Sequence, residues 1–159
     1  MNIRTGIGFD VHRLEPGRKF VLGGVEITHD KGCVAHSDGD VLLHAICDAL
    51  LGAAALGDIG THFPDNDSKY KDIDSRLLLR DVNKLISDKG YKISNIDCIV
   101  ALQEPKIKEY IQAIQSEIAR TIEADKESIS IKATTTEKLG FTGRGEGVAA
   151  WASVLLLKE

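Results

Sequence analysis

Asp10 and His12 stand two apart at the end of a stretch, Ile3 to Val11, whose composition suits a β-strand. Alternate strand residues point the same way, so both side chains can reach one ion. With His44 they make two imidazoles and one carboxylate. Three protein ligands leave a fourth tetrahedral position open, the arrangement of a catalytic zinc. Spacing alone is met as well by a surface Asp, a capping His and a satisfied core His, and by itself favours that plainer account.

Three further constellations carry polar chemistry. His36-Ser37-Asp38-Gly39-Asp40 precedes His44. Asp40 lies four residues before His44 and Asp48 four after, so either could hold the His44 ring from the same helix face. Ser37 or Asp38 can equally cap that helix. Asp58-Ile59-Gly60 and Phe63-Pro64-Asp65 put carboxylates into a punctuated loop, where they can accept bonds from a polyol or close Asx-turns. Lys132 to Lys138, with Thr134, Thr135 and Thr136, runs into Gly140-Phe141-Thr142-Gly143-Arg144-Gly145-Glu146-Gly147. Hydroxyls, backbone N–H groups and Arg144 suit phosphate, and Glu137 is a hard oxygen ligand suited to Mg²⁺. Strand propensity and turn chemistry account for the same residues without a ligand. The glycines fit neither a dinucleotide fingerprint nor a phosphate-binding P-loop.

The elements that must position these groups follow from periodicity. A first strand over Ile3 to Val11 leads to a hairpin, Phe20 to Leu22 and Val25 to Ile27, turned by Gly23-Gly24. A polar loop from Thr28 to Ser37 precedes a helix reaching about Ala55, stopped by Gly57. The loop to Asp74 is long enough to act as a lid. A second helix starts near Ser75, with Leu78, Val82, Leu85 and Ile86 on one face, and ends at Lys89-Gly90. Tyr91 to Leu102 predicts a strand. Ile107, Ile111, Ile114, Ile118 and Ile122 draw one helical stripe. Ser128 to Thr136 and Val148 to Leu157 are the last strands, separated by a loop over Leu139 to Gly147. The order predicts one α+β domain over residues 1–159, a two-layer sandwich of a mixed sheet with helices on one face. The final strand is apolar throughout, so its second face is expected to meet another subunit.

Composition limits the partners. A domain of 159 residues buries about 68–70% of its unfolded surface, enough to fold without a structural metal. A net charge of −4 argues against nucleic acid. Cys33, Cys47 and Cys98 are scattered, which fits a reduced compartment. Arg4, Asp10 and His12 stand where a signal peptide would be apolar, and Val148 to Leu157 is too short to span a membrane. A cytoplasmic protein is expected.

Several segments together resemble the 2-C-methyl-D-erythritol 2,4-cyclodiphosphate synthase family. They are Gly8 to His12, Ala35 to Asp40, Asp48 to Gly60, Phe63 to Asp65, Asp74 to Arg76 and Lys132 to Gly147, in the family's order. The resemblance implies a homotrimer with active sites between subunits, turning 4-diphosphocytidyl-2-C-methyl-D-erythritol 2-phosphate into the 2,4-cyclodiphosphate and CMP. It implies a zinc-type ion (Zn, Mn or Co) on Asp10, His12 and His44, and Mg²⁺ or Mn²⁺ on Glu137. It implies a methylerythritol pocket of His36, Ser37, Asp58, Gly60, Phe63 and Asp65. Pro105, Lys106, Ile107, Ala133 and Thr134 would hold CMP, Thr135 the diphosphate, with Thr135, Glu137 and Asp65 nearest the reacting groups. Phe141 and Arg144 would border a central cavity able to accept an isoprenoid diphosphate. The cytidine loop Gln103 to Lys108 departs from the family pattern around Pro105-Lys106. A non-catalytic trimer and a metal-dependent phosphohydrolase are the alternatives, which the reaction product separates.

Overall fold

The computed structural model describes residues 2–158. The strands are β1 (Asn2–Pro16), β2 (Phe20–Leu22), β3 (Val25–Ile27) and β4 (Lys31–Val34), then β5 (Lys92–Ala101), β6 (Ile129–Thr134) and β7 (Gly147–Lys158). The helices are α1 (Val41–Ala53), α2 (Ile59–His62), α3 (Ser75–Asp88), α4 (Ile111–Ile122) and α5 (Gly140–Gly143). The main sheet runs β4-β1-β7-β5-β6, with β5 and β6 parallel and the other pairs antiparallel. The β2–β3 hairpin forms a second, two-stranded sheet. Gly23 and Gly24 turn it with φ of 59° and 78°, the positive angles that a tight hairpin needs.

Strand alternation sorts the sheet into two faces. On β1, Gly6, Gly8, Asp10 and His12 face the helices, while Ile3, Ile7, Phe9 and Val11 are exposed on the other side. Val148, Ala150, Ala152, Val154 and Leu156 of β7 and Ile96, Cys98 and Val100 of β5 continue the covered face. The helix α1 lies directly on β1 and β7 and is buried on nearly all sides, because α3 covers its back. Helix α4 packs against α3 and β6 through Ile114, Ile118 and Ile122. All three cysteines are buried and free.

The contact of α1 with β1 is unusually close. A Cβ on Gly6 would stand 2.0 Å from the Ala49 carbonyl oxygen, and one on Gly8 1.9 Å from that of Ala45. Both facing positions on the helix are alanines four apart. Only glycine on the strand lets the two backbones meet.

The sequence expectations need four corrections here. Asp40 caps α1, accepting from Leu43 N at 3.1 Å, in place of Ser37 or Asp38. It wins because its carboxylate also takes the free turn donors Gly23 N (2.9 Å) and Gly24 N (2.7 Å), bonds that local sequence cannot reveal. The loop after the hairpin contains β4, paired with the far end of β1 over Arg13–Pro16. The long loop to Asp74 contains α2 and a 3₁₀ turn at Ser68–Tyr70. The Gly-rich loop contains α5. Within the single chain the final strand is covered on one face, and its other face is open, with Trp151 38% exposed beside Phe9 on β1.

Two alanine substitutions test the close approach. Gly8→Ala must push α1 off β1, and overpacking against backbone should cost about 3 kcal/mol, lowering the melting temperature by roughly 6–12 °C. Gly52→Ala, in the same helix with nothing within 4 Å of its would-be Cβ, should gain about 0.5–1 kcal/mol. A Gly8→Ala protein melting within two or so degrees of the parent would refute the backbone-contact account.

Candidate active site

Three side chains on the covered face converge. Asp10 Oδ2 lies 2.9 Å from His44 Nδ1 and 3.0 Å from His12 Nε2, and those two nitrogens are 3.1 Å apart. Asp10 and His12 project from alternate positions of β1, and His44 descends from α1 next to Ala45, the residue at closest approach. Among the described residues this is the one group of three such ligands. A tetrahedral ion with bonds near 2.0–2.1 Å separates its ligands by about 3.3 Å, so an opening of a few tenths of an ångström would admit one. One carboxylate with two imidazoles is a donor set that suits zinc, manganese or cobalt.

The electrostatics agree. Burial pushes the Asp10 carboxyl up, but hydrogen bonds and charge attraction from His12 and His44 outweigh it and hold it well below the ordinary range. Burial pushes His44 down, and the bond and charge of Asp10 more than reverse this. Neither Asp40 nor Asp48 holds the His44 ring. Asp40 is committed to the hairpin and the helix start. Asp48 accepts from Ile59 N at 2.7 Å and so fixes α2. Ser75 Oγ (2.9 Å) and Ser37 Oγ (3.1 Å) approach the ring instead, both at Nε2.

The two imidazoles open on a cavity of about 430 Å³. His36, Ser37, Gly60, Phe63 and Asp65 line it, together with Ile59, Tyr70 and Ile73, which sequence reasoning missed. Phe63 and Tyr70 meet edge to face at 5.5 Å between centroids and form one wall. The segment carrying His36 is sewn to the far side of the cavity: Asp72 N donates to His36 O (2.7 Å) and Asp38 N to Ile73 O (3.0 Å). Asp58 is not among the lining residues. It caps α2 by accepting from Thr61 N and Oγ1, each at 2.8 Å.

A second, smaller groove of about 180 Å³ lies at the ends of β5 and β6. Pro105, Lys106, Ile107, Ala133, Thr134 and Thr135 line it, and it shares no residue with the first cavity. Beyond it Glu137 is exposed, at φ 52°, a left-handed angle that a non-glycine residue adopts at a cost. Its carboxylate accepts from Thr135 Oγ1 at 3.2 Å. Phe141 and Arg144 line a third cavity, of about 600 Å³, under β1 and β4. Arg144 there is paired in a fork with Glu146, at 2.9 and 3.0 Å. Among the described residues no helix is long and apolar enough to cross a membrane.

Comparison with known proteins agrees with this geometry. A family model described as the YgbB family matches residues 3–157. The 2-C-methyl-D-erythritol 2,4-cyclodiphosphate synthase of Moorella thermoacetica is 59% identical over 155 residues, 98% of this chain and 95% of that protein. The synthase of Bacteroides thetaiotaomicron is 55% identical over the whole length of both chains. Among solved structures, the bifunctional IspDF from Campylobacter jejuni superposes with a TM-score of 0.94 at 50% identity, covering 98% of this chain. This chain spans 42% of that longer protein. The CDP complex of IspF from Plasmodium falciparum gives a TM-score of 0.88 at 37% identity, covering 99% and 97% of the two chains. With relatives this similar over nearly its whole length and a family match reaching from β1 to the end of β7, the chain belongs to the YgbB family.

Proposed function

We propose that the protein is a cyclodiphosphate synthase of the non-mevalonate route to isoprenoid precursors. It would convert 4-diphosphocytidyl-2-C-methyl-D-erythritol 2-phosphate to 2-C-methyl-D-erythritol 2,4-cyclodiphosphate and CMP. One observation carries the reading: a metal-suited triad of Asp10, His12 and His44 borders a cavity walled by His36, Ser37, Gly60, Phe63 and Asp65. The high identity to synthases over the full chain supports it.

The chemistry needs no protein nucleophile. The 2-phosphate of the substrate attacks its own β-phosphate, and the bond to CMP breaks. The protein's task is to align two phosphates that repel one another and to offset charge as CMP departs. Ions held by Asp10, His12 and His44, and by Glu137, would supply Lewis-acid polarisation and charge neutralisation. His36, Ser37 and Asp65 offer donors and acceptors to the polyol, and Phe63 gives it an apolar wall. Thr134 and Thr135 suit the diphosphate with hydroxyls and backbone N–H groups. Pro105, Lys106, Ile107 and Ala133 form the groove assigned to CMP, in keeping with the CDP carried by related structures. Asp58 caps the short α2 that carries Gly60, and we assign it to the polyol site with these residues.

The cavity and the groove are separated within one chain. Asp10, Ala150, Val100 and Ala133 stand level on four successive strands, so three spacings, about 14 Å, lie between triad and groove. We infer that a complete site forms between subunits of a homotrimer, held through the exposed face of Ile3, Ile7, Phe9, Ile99 and Trp151. The third cavity, with Phe141 and Arg144, would then lie toward the threefold axis. An isoprenoid diphosphate there would have to displace Glu146 from Arg144.

Three measurements test this. Phosphorus NMR of the diphosphocytidyl substrate should show a cyclodiphosphate and CMP, and a chelator should abolish both; a hydrolysed open-chain phosphate would mean a phosphohydrolase instead. Sedimentation should give three times the 17.3 kDa chain mass, and a single-chain mass at working concentration would sink the assembly. Glu137→Gln should slow turnover on the order of a hundredfold, as for loss of one charge contact to a transition state. It should also remove the Mg²⁺ enhancement of CDP binding in calorimetry while zinc content stays constant. Equal enhancement in both proteins would leave Glu137 a loop residue.

A further inference from the structure

Ser75 opens α3 and is fully buried. Its hydroxyl donates to Asp38 Oδ1 at 2.5 Å and lies 2.9 Å from His44 Nε2. The oxygens of Asp38 also receive backbone N–H groups, from Asp40 at 3.1 Å and from Ser75 itself at 2.9 Å. A carboxylate surrounded by donors accepts. A hydroxyl has one proton to give, and that proton goes to Asp38. Toward His44, Ser75 Oγ can therefore only accept. This puts a proton on His44 Nε2, so that Nδ1, which faces Asp10 at 2.9 Å and His12, is the nitrogen whose lone pair an ion would take on displacing the proton shared with Asp10.

We propose that Asp38 and Ser75 are positioning residues, a two-member relay that fixes the tautomer and ring direction in which His44 takes a divalent ion through Nδ1. The inference rests on the reading of Asp10, His12 and His44 as a metal site. Imidazole ligands commonly donate their second N–H to a carboxylate or carbonyl, which raises ligand basicity. Here the carboxylate acts through a buried hydroxyl. Ser37 does not share the role. Its Oγ lies 3.1 Å from the same nitrogen and accepts from Gly39 N at 3.2 Å, with no carboxylate behind it to dictate its direction. Its proton is free for a ligand in the cavity that Ser37 lines. The relay is held from outside the cavity. Asp74 caps α3 through Arg76 N at 2.9 Å, and the Arg76 guanidinium reaches Glu117 on α4 at 2.7 Å, so the helix start cannot drift.

The test reads zinc affinity by competition with a chromophoric chelator, for the parent, Ser75→Ala and Asp38→Asn, with His44→Ala as a non-binding reference. Long-range proton–nitrogen NMR of the zinc-loaded proteins reads directly which His44 nitrogen holds the metal and which keeps its proton. Zinc affinity should fall 10- to 100-fold in Ser75→Ala, the usual range for losing a partner behind a ligand, and less in Asp38→Asn, which keeps one acceptor oxygen. The zinc-loaded parent should hold the metal through Nδ1 and keep on Nε2 a proton that exchanges slowly with water, and Ser75→Ala should exchange that proton faster. Zinc affinity in Ser75→Ala within twofold of the parent overturns the relay. So does a zinc-loaded parent protonated on Nδ1, a result that needs no variant to fold. A parent that binds zinc no better than His44→Ala overturns the metal site instead.

Discussion

The close approach of α1 to β1 is the constraint on which the rest depends. Gly6 and Gly8 face Ala49 and Ala45 across a gap that no Cβ on the strand could share. From that contact the site follows by periodicity alone. Asp10 and His12 are the next two residues of the same strand face, and His44 is the helix residue beside Ala45. A helix held off by ordinary side chains would carry His44 away from the strand and part ligand atoms that now stand 2.9–3.1 Å from one another. The smallness of four residues that do no chemistry thus sets the spacing of three that can.

What the strand and helix fix in coarse geometry, aspartates fix in detail. Asp40 joins the turn of the β2–β3 hairpin to the start of α1, and Asp48 joins α1 to α2. Asp38 joins the loop of His36 and Ser37 to α3. Each accepts at least one backbone N–H, a bond that costs little to make near a helix start and leaves a buried donor unsatisfied if lost. Burial and the nearby Asp38 raise the Asp40 carboxyl above its ordinary value, a rise that its three backbone donors offset only in part. These hydrogen bonds leave the carboxylate charges in place, within a net charge of −4. Under the proposed function the diphosphate's charge would therefore have to be met by cations, by Lys106 and by the Thr134-Thr135 edge.

The legible parts of the sequence were those with a local period. The hairpin at Gly23-Gly24, the isoleucine stripe of α4 and the covered face of β1 follow from spacing. So does the pairing of Asp10 with His12. The parts that were not legible are fixed by distant groups. Ser37, Asp38 and Asp40 are equally good caps on paper, and only the hairpin's free N–H groups select Asp40. The strand β4 is four residues with a glycine, and it exists because the last residues of β1, Arg13 to Pro16, offer it an edge. Asp58 stands in a punctuated loop where a turn and a polyol contact read alike, and only the structure shows its carboxylate closing a turn on Thr61. Ser75 left no signal beyond its place after Asp74 in a matching stretch. A serine at a helix start is ordinary until Asp38 and His44 are seen on either side of it.

The strand β1 also ties the chemistry to the proposed assembly. Its even-numbered residues supply Gly6, Gly8, Asp10 and His12 to the covered face. Its odd-numbered residues supply Ile7, Phe9 and Val11 to the open one, where Phe9 meets Trp151 at 5.0 Å between ring centroids. A sheet cannot shift one of these faces without the other, since a single-residue slip exchanges them. An exposed apolar face of this size is unstable in water and favours a partner. A second subunit seated there would press on the backbone that carries Asp10 and His12. The same strand would then be held from both sides, by α1 through two glycines and by a neighbour through Phe9 and Trp151, and that two-sided hold is what would keep the ligand atoms at their present spacing.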